Sequence, residues 1–254
     1  MRVLVTELPD VGITVISRWV FNCYVIHDGG AGRALVVDPG MRSTARLAAS
    51  IVGSRSCSAV ATHGHVDHVG GLPTMRAAGA DVILPTRIRD YLAGETPRSP
   101  GLREVASIAP VLRDQPVSFA ALLDVARSGR ACGYDGRGVR FPGGADHWIG
   151  DGDGIPGAPA WQVIQTPGHT DDSTSLWNPS AGVLLSGDAV LGVGGRAWFT
   201  PELVDADLAA ATEERLRPLP VRYLLPGHGR AVVGGDVMTH ARSAADRPRR
   251  SRRR

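Results

Sequence analysis

Thr62-His63-Gly64-His65-Val66-Asp67-His68 closes the apolar run Ser58 to Thr62, and its reading governs the rest of the chain. Three imidazoles and one carboxylate fall within six residues. A core strand does not tolerate that spacing, because several unpaired buried imidazoles would be costly. Neutral imidazole and carboxylate are instead good ligands for zinc and similar divalent metals. A turn at a strand's C-terminal end can aim His63 and His65 at one ion, and the start of the next helix can aim Asp67 and His68 at a second beside it. Gly64 relieves backbone crowding in that turn.

Three further segments repeat the theme. His169 sits in Thr166-Pro167-Gly168-His169-Thr170, Asp188 in Ser186-Gly187-Asp188, and His228 in Pro226-Gly227-His228-Gly229. Each places a ligand-type side chain on a Gly-containing loop after an apolar strand. Five of the eight histidines belong to these motifs. His27, His147 and His240 do not, and are expected to be ordinary surface or hydrogen-bonded residues.

The series HxHxDH, PGHT, SGD and PGHG, in this order, resembles the metallo-β-lactamase superfamily from about Phe21 to about His240, apart from one inserted stretch. The resemblance implies an α/β chain folded as a four-layer αββα sandwich, with two divalent metal ions at one edge. Zinc is the expected metal, with iron or manganese as alternatives. By the family pattern His63, His65 and His169 hold the first ion, Asp67, His68 and His228 hold the second, and Asp188 bridges both. Asp38, in Val36-Val37-Asp38-Pro39-Gly40, resembles the family's carboxylate behind the ligands. Asn22-Cys23-Tyr24 resembles its N-terminal strand signature and is read as a fold marker.

Mechanism follows from the implied metals. Two cations can lower the pKa of a shared water towards about 7. The resulting hydroxide would attack a carbonyl or phosphoryl centre, while the second ion stabilises the oxyanion. Asp67 is the expected catalytic acid–base group. No protein nucleophile is required, and a GxSxG elbow is absent.

Departures from branches of the family narrow the reaction. Asp188 stands where one large β-lactamase class has Cys. Flavodiiron proteins have Glu where His65 stands. Glyoxalase-type thioesterases carry a C-terminal glutathione-binding region with Lys contacts, whereas this chain has no lysine. The extra domain of the long nuclease branches is not seen. The expected activity is hydrolysis of an ester, thioester or lactone. Alternatives are a cyclase or thioesterase of the polyketide type, a mononuclear iron dioxygenase, and a non-catalytic module binding nucleic acid through its Arg-rich end.

Outward from the motifs, short strands are expected at Val3 to Glu7, Thr14 to Ser17, Phe21 to His27 and Ala34 to Val37. A helix capped by Ser43 is expected to Val52, another from His68 to Ala78 despite Pro73, and a strand at Asp81 to Leu84. The second half reads as strands at Trp161 to Gln165, Ser173 to Trp177, Val183 to Ser186 and Val221 to Leu225. Helices are expected at Asp205 to Leu216 and Asp236 to Ala245. Between them, about 87–158 is too long and too rich in Pro and Gly for an ordinary loop, and reads as an inserted lid with a helix near Phe119 to Ser128. The expected organisation is one domain over 1–246 and a disordered tail over 247–254.

Composition sets outer limits. The chain has 254 residues, 43% of them hydrophobic, enough for one buried core. All 28 basic residues are arginine, which excludes lysine Schiff-base chemistry and a Walker A loop. The net charge of +3 misleads, because six arginines lie in Arg247–Arg254 and the rest of the chain is mildly acidic. The three cysteines lack CxxC spacing and are expected to be reduced and buried. With no long apolar run and no basic-then-apolar N-terminus, a cytoplasmic protein without a membrane span is expected. The expected partner is a small-molecule substrate, not nucleic acid, and oligomeric state is not readable. Trp148, Trp161, Trp198, Phe199 and Tyr134 could line a pocket, although packing suits each better. Arg196 could neutralise a substrate carboxylate.

Overall fold

Alternate residues of a strand face opposite sides, so a sheet covered on both faces needs apolar residues at every position. Phe21-Asn22-Cys23-Tyr24-Val25-Ile26 and Ala34-Leu35-Val36-Val37 come close to that requirement and are buried throughout. They are the middle of a seven-stranded sheet in the order β1 (Leu4–Leu8), β2 (Ile13–Arg18), β3 (Phe21–Ile26), β4 (Ala34–Val37), β5 (Cys57–Val60), β6 (Asp81–Pro85) and β7 (His147–Ile149). The first four strands pair antiparallel, and β4 to β7 pair parallel. The structure, a computed structural model, describes residues 3–30, 32–115, 117–136 and 138–246. The tail expected at 247–254 lies outside the described residues.

A second sheet is built from β8 (Gly154–Ile155), β9 (Ala158–Gln165), β10 (Thr174–Asn178) and β11 (Val183–Gly187). The hairpin β12 (Val190–Val193) and β13 (Arg196–Phe199) stands apart from it. β14 (Tyr223–Pro226) and β15 (Val232–Val233) complete the order β15-β14-β11-β10-β9-β8. One set of side chains from each sheet meets in the middle: Val15, Tyr24, Leu35, Val37 and Ile83 pack with Trp161, Val163, Leu176, Leu185 and Leu225.

The outer faces take helices. Ile16, Cys23, Val25 and Val36 pack against Ala45, Ala48 and Val52 of α1 (Arg42–Val52). Val69 of α2 (Val66–Val69) and Leu72 and Met75 of α3 (Leu72–Ala77) join the same cluster. The segment after β6 carries α4 (Ile88–Leu92), α5 (Leu102–Ser107), α6 (Ala109–Arg113) and α7 (Phe119–Ala131). On the other side Leu216 of α8 (Ala206–Leu216) covers Ile164, Leu184 and Leu224. The result is the expected α/β sandwich with helices outside both sheets. Among the described residues no helix is long and apolar enough to cross a membrane.

Local expectations differ from the structure in three places. The helix expected at His68 to Ala78 is two helices, interrupted at Gly70 and Gly71, and Pro73 lies in the first turn of the second, where a missing N–H costs nothing. Ser43 lies inside the first turn of α1 and does not cap it; its hydroxyl accepts from Arg18 Nη1, and Met41 occupies the cap position. The helix expected at Asp236 to Ala245 does not form. Asp236 has φ +56°, and the following backbone bonds elsewhere: Val237 N–H donates to Val221, and Arg242 exchanges hydrogen bonds with Ala197 and Phe199 of β13. Tertiary pairing outweighed local propensity there. Within 87–158, helices occupy the first part, while β7, β8 and the start of β9 belong to the two sheets.

Candidate metal centre

Strand direction decides which loops meet. In the first sheet β4 and β5 are parallel, so Asp38 and the His63–His68 turn leave the same edge. In the second, β10 is antiparallel to both β9 and β11, and β14 is parallel to β11. The loops carrying His169, Asp188 and His228 therefore leave one edge as well. The two edges are stitched together where Thr174 donates through N–H and Oγ1 to the Thr62 carbonyl (2.9 and 2.8 Å).

All seven motif side chains come together. His63, His65, His169 and Asp188 form one group whose ligand-type atoms lie within 4.8 Å of one another, and Asp67, His68 and His228 form another. Asp188 Oδ2 stands between them, 3.5 Å from His169 Nε2, 3.4 Å from His68 Nε2 and 3.0 Å from His228 Nε2. Asp67 Oδ2 is 3.2 Å from His228 Nε2. His65 Nδ1 and His169 Nε2 face each other at 3.2 Å.

Neighbouring groups select the ring atoms presented. His68 Nδ1 donates to Asp38 Oδ2 (2.9 Å), and His169 Nδ1 donates to the Glu202 carbonyl (2.8 Å), which leaves both Nε2 atoms facing inward. Asp38 has φ +52° and is itself anchored, Oδ1 accepting from Thr62 N–H (2.7 Å) and Oδ2 from Thr62 Oγ1 (2.9 Å). Asn22 and Tyr24, read only as fold markers, hold the His228 loop. The Asn22 amide donates to the carbonyls of Pro226 (2.9 Å) and Gly229 (2.8 Å), and the Tyr24 hydroxyl donates to Pro226 (2.6 Å). Gly227 permits the approach: a Cβ there would lie 2.3 Å from Asp188 Oδ1.

The electrostatics favour added positive charge. Burial, reinforced by neighbouring imidazoles, holds His63 far below its ordinary pKa and His65 at about 3. Burial opposes protonation of His68 and His228 too, but the Asp188 carboxylate, helped by Asp38 and Asp67, reverses the sign and raises His228 to about 10. Five imidazoles around two carboxylates thus require either added protons or cations. Among the described residues His63 Nε2 and Asp188 Oδ1 are buried without a hydrogen-bonding partner. Divalent cations fit this donor set, because they satisfy both kinds of atom at once.

Asp67 and His65 open onto a cavity of about 360 Å³. Its other walls include Tyr91, Arg98, Tyr134, Arg140 and Phe141 from the 87–158 segment, together with Asp172 and Glu202. Arg98 pairs with Asp171 and Asp205, and Arg140 with Asp135. Of the five aromatic candidates only Tyr134 lines this cavity; Trp161 is in the inter-sheet core, Trp198 and Phe199 are in outer clusters, and Trp148 lies under the Arg89 guanidinium. Arg196 is exposed at the start of β13 and is not part of the cavity wall.

Sequence reading missed Asp172 and Glu202. Asp172 Oδ2 accepts from Gly64 N–H (2.6 Å), tying the His169 loop to the His63 turn. Burial, reinforced by the negative charge of Asp188, pushes Glu202 up to about 7. Asp172 had a weak signal, three residues after His169. Glu202 had none, because folding alone brings it to the centre.

A family model described as the metallo-β-lactamase superfamily matches residues 18–228. The chain is similar to the "Probable metallo-hydrolase YflN" of Bacillus subtilis (strain 168), 25% identical over 93% of this chain and 90% of that one. It is also similar to a hydroxyacylglutathione hydrolase of Methylococcus capsulatus, 25% identical over 78% of this chain and 57% of that enzyme. Among solved structures, TTHA1623 in a di-iron-bound form superposes with a TM-score of 0.55 at 22% identity, covering 86% of this chain and 92% of that one.

Proposed function

The chain belongs to the metallo-β-lactamase superfamily, and on that premise we propose that it is a dinuclear, zinc-dependent hydrolase of an ester, thioester or lactone. The observation that carries this reading is the ligand arrangement itself: two groups of ligand-type atoms share one edge, with Asp188 between them. His63, His65 and His169 would hold one ion, Asp67, His68 and His228 the other, and Asp188 both. The bound cations supply acidified water and an electrophilic pull on the scissile carbonyl. The protein supplies the rest.

Asp38 and the Glu202 carbonyl keep His68 and His169 in the tautomer that presents Nε2. Asp67, 21% exposed and lining the cavity, would carry a proton to the leaving group. Tyr91, Tyr134 and Phe141 line the cavity and would offer ring surface to the acyl portion of a substrate. The resemblance to hydroxyacylglutathione hydrolase favours a thioester among the three substrate classes, although this chain spans only 57% of that enzyme.

The test is elemental mass spectrometry on protein purified without added metal, followed by ester, thioester and lactone panels. About two zinc ions per chain and turnover lost on chelation are expected. About one iron per chain, with oxygen consumption and no hydrolysis, would replace this reading with oxidation chemistry.

A further inference from the structure

Between α1 and α7 lies a second concavity of about 270 Å³, lined by Arg18, Arg42, Ser43, Arg46, Asp124 and Arg127 among others. It shares no wall residue with the cavity at the metal centre. Arg18 is built into its wall. Nη1 donates to Ser43 Oγ and pairs with Asp124, Nη2 donates to the Ala120 carbonyl (3.2 Å), and Nε is buried without a partner among the described residues. The guanidinium groups of Arg42, Arg46 and Arg127 make no ion pair or hydrogen bond within the described residues. One carboxylate therefore stands against four guanidinium groups.

The local electrostatics run against the helix. Arg42 is the first residue of the eleven-residue α1, the first turn has no acidic residue, and a cation there opposes the helix dipole. Arg46 sits four residues further on the same face, where like charges repel. An anion in the concavity would relieve both conflicts. Guanidinium groups bind oxyanions through pairs of parallel hydrogen bonds, and a cluster of four favours the higher charge and additional oxygens of phosphate over a carboxylate, which can occupy only one fork.

We propose that this concavity binds a phosphate-type oxyanion, apart from the metal centre. The anion could come from a soluble phosphorylated ligand or from a lipid headgroup. Leu123 in its wall and the neighbouring Phe119 and Leu122 are exposed, so both sources can be presented to it.

The test compares the metal-loaded full chain with the variant R42Q/R46Q/R127Q. All three positions are exposed and outside the catalytic machinery, so the variant should fold, bind metal and turn over substrate normally. Inorganic phosphate, with acetate as control, is titrated by calorimetry and thermal denaturation. Phosphatidylcholine vesicles with and without phosphatidylglycerol are tested by co-sedimentation. The expected result is phosphate binding weakened by at least about tenfold in the variant. Arginine-dependent binding to phosphatidylglycerol vesicles without a free-phosphate response would assign the site to headgroups. Both proteins keep the Arg247–Arg254 tail, so a difference between them reports on the concavity. Equal phosphate and vesicle responses in the two proteins, or none in either, would overturn the proposal.

Discussion

Asp38 Oδ2 lies 2.9 Å from Nδ1 of His68, with both side chains buried, and the same carboxylate holds the backbone and hydroxyl of Thr62. One residue at the end of β4 thereby positions a ring on the turn after β5. Asn keeps an acceptor for Thr62 N–H and tolerates the left-handed backbone, but lacks the charge that favours an Nδ1–H imidazole. Asp38→Asn is expected to weaken metal binding at the proposed second site, which His68 would help to form, by about 10–100-fold with the fold retained. Chelator-competition titration beside circular dichroism measures this, and unchanged affinity would show that the charge is not what holds His68.

Gly227→Ala should act as a ligand mutation although it removes none. Its Cβ would lie 2.3 Å from Asp188 Oδ1 and 2.6 Å from His68 Cε1. Asp188, His68 or the loop must shift, and with these side chains displaced turnover should fall by more than about 100-fold, the scale set by misplaced catalytic groups. Metal content and kcat of the purified variant are the measurements. Wild-type values in both would mean that the loop yields without disturbing the centre.

The two ligand groups predict unequal losses. His228→Ala should leave about one tightly held ion per chain, and Asp188→Ala should release both, because Oδ2 faces both groups. Acid should release metal from the wild type as protons compete for the imidazoles. Equilibrium dialysis across pH, with elemental analysis, follows both effects. Two ions retained by Asp188→Ala would remove that residue from its proposed bridging role.

Cys23, Cys57 and Cys132 are free and buried. Burial pushes the thiols of Cys57 and Cys132 up to about 11, and Cys23 higher still. Only the thiolate reacts, so native protein at neutral pH should resist alkylation while denatured protein takes up three equivalents. Mass spectrometry after brief iodoacetamide treatment decides it, and rapid labelling of any one in the folded chain would contradict this burial.

Asp146 fastens β7 to β6. Its Oδ2 accepts from Val82 N–H (2.7 Å) and its carboxylate pairs with Arg76, which together hold its pKa below the ordinary value. A depressed carboxylate contributes stability that is present above the unfolded pKa and lost as pH falls through the folded one. With the side chain 38% exposed, the contribution is about 0.5–1 kcal/mol after screening. Asp146→Asn should therefore unfold earlier than wild type at pH 7, with the gap closing as pH falls below the ordinary carboxylate range. Urea midpoints at several pH values measure the gap, and one that did not close would rule out this carboxylate as its source.

His63, His65, Asp67 and His68 are legible because they crowd one short turn, and imidazoles packed that densely with a carboxylate suit cation binding far better than they suit a core. Leu35 and Val37 against Ala34 and Val36 likewise declare a strand covered on both faces, since side chains alternate with the backbone pleat. The order of motifs, through the family it resembles, was enough to indicate the sandwich and to collect the seven side chains. Local pattern could not show that the segment Asp236 to Ala245 is held to β13 through Arg242, because its partners lie some forty positions earlier in the chain. Nor could it bring Glu202 beside His169, or gather Arg18 and Arg127 around one concavity. Those relationships depend on strand direction and on how α7 lies against α1. The chain's own residues therefore determined which groups can bind a cation, and the tertiary structure decided which carbonyls, carboxylates and guanidinium groups surround them, because electrostatic partners are chosen by distance in space and not by separation along the chain.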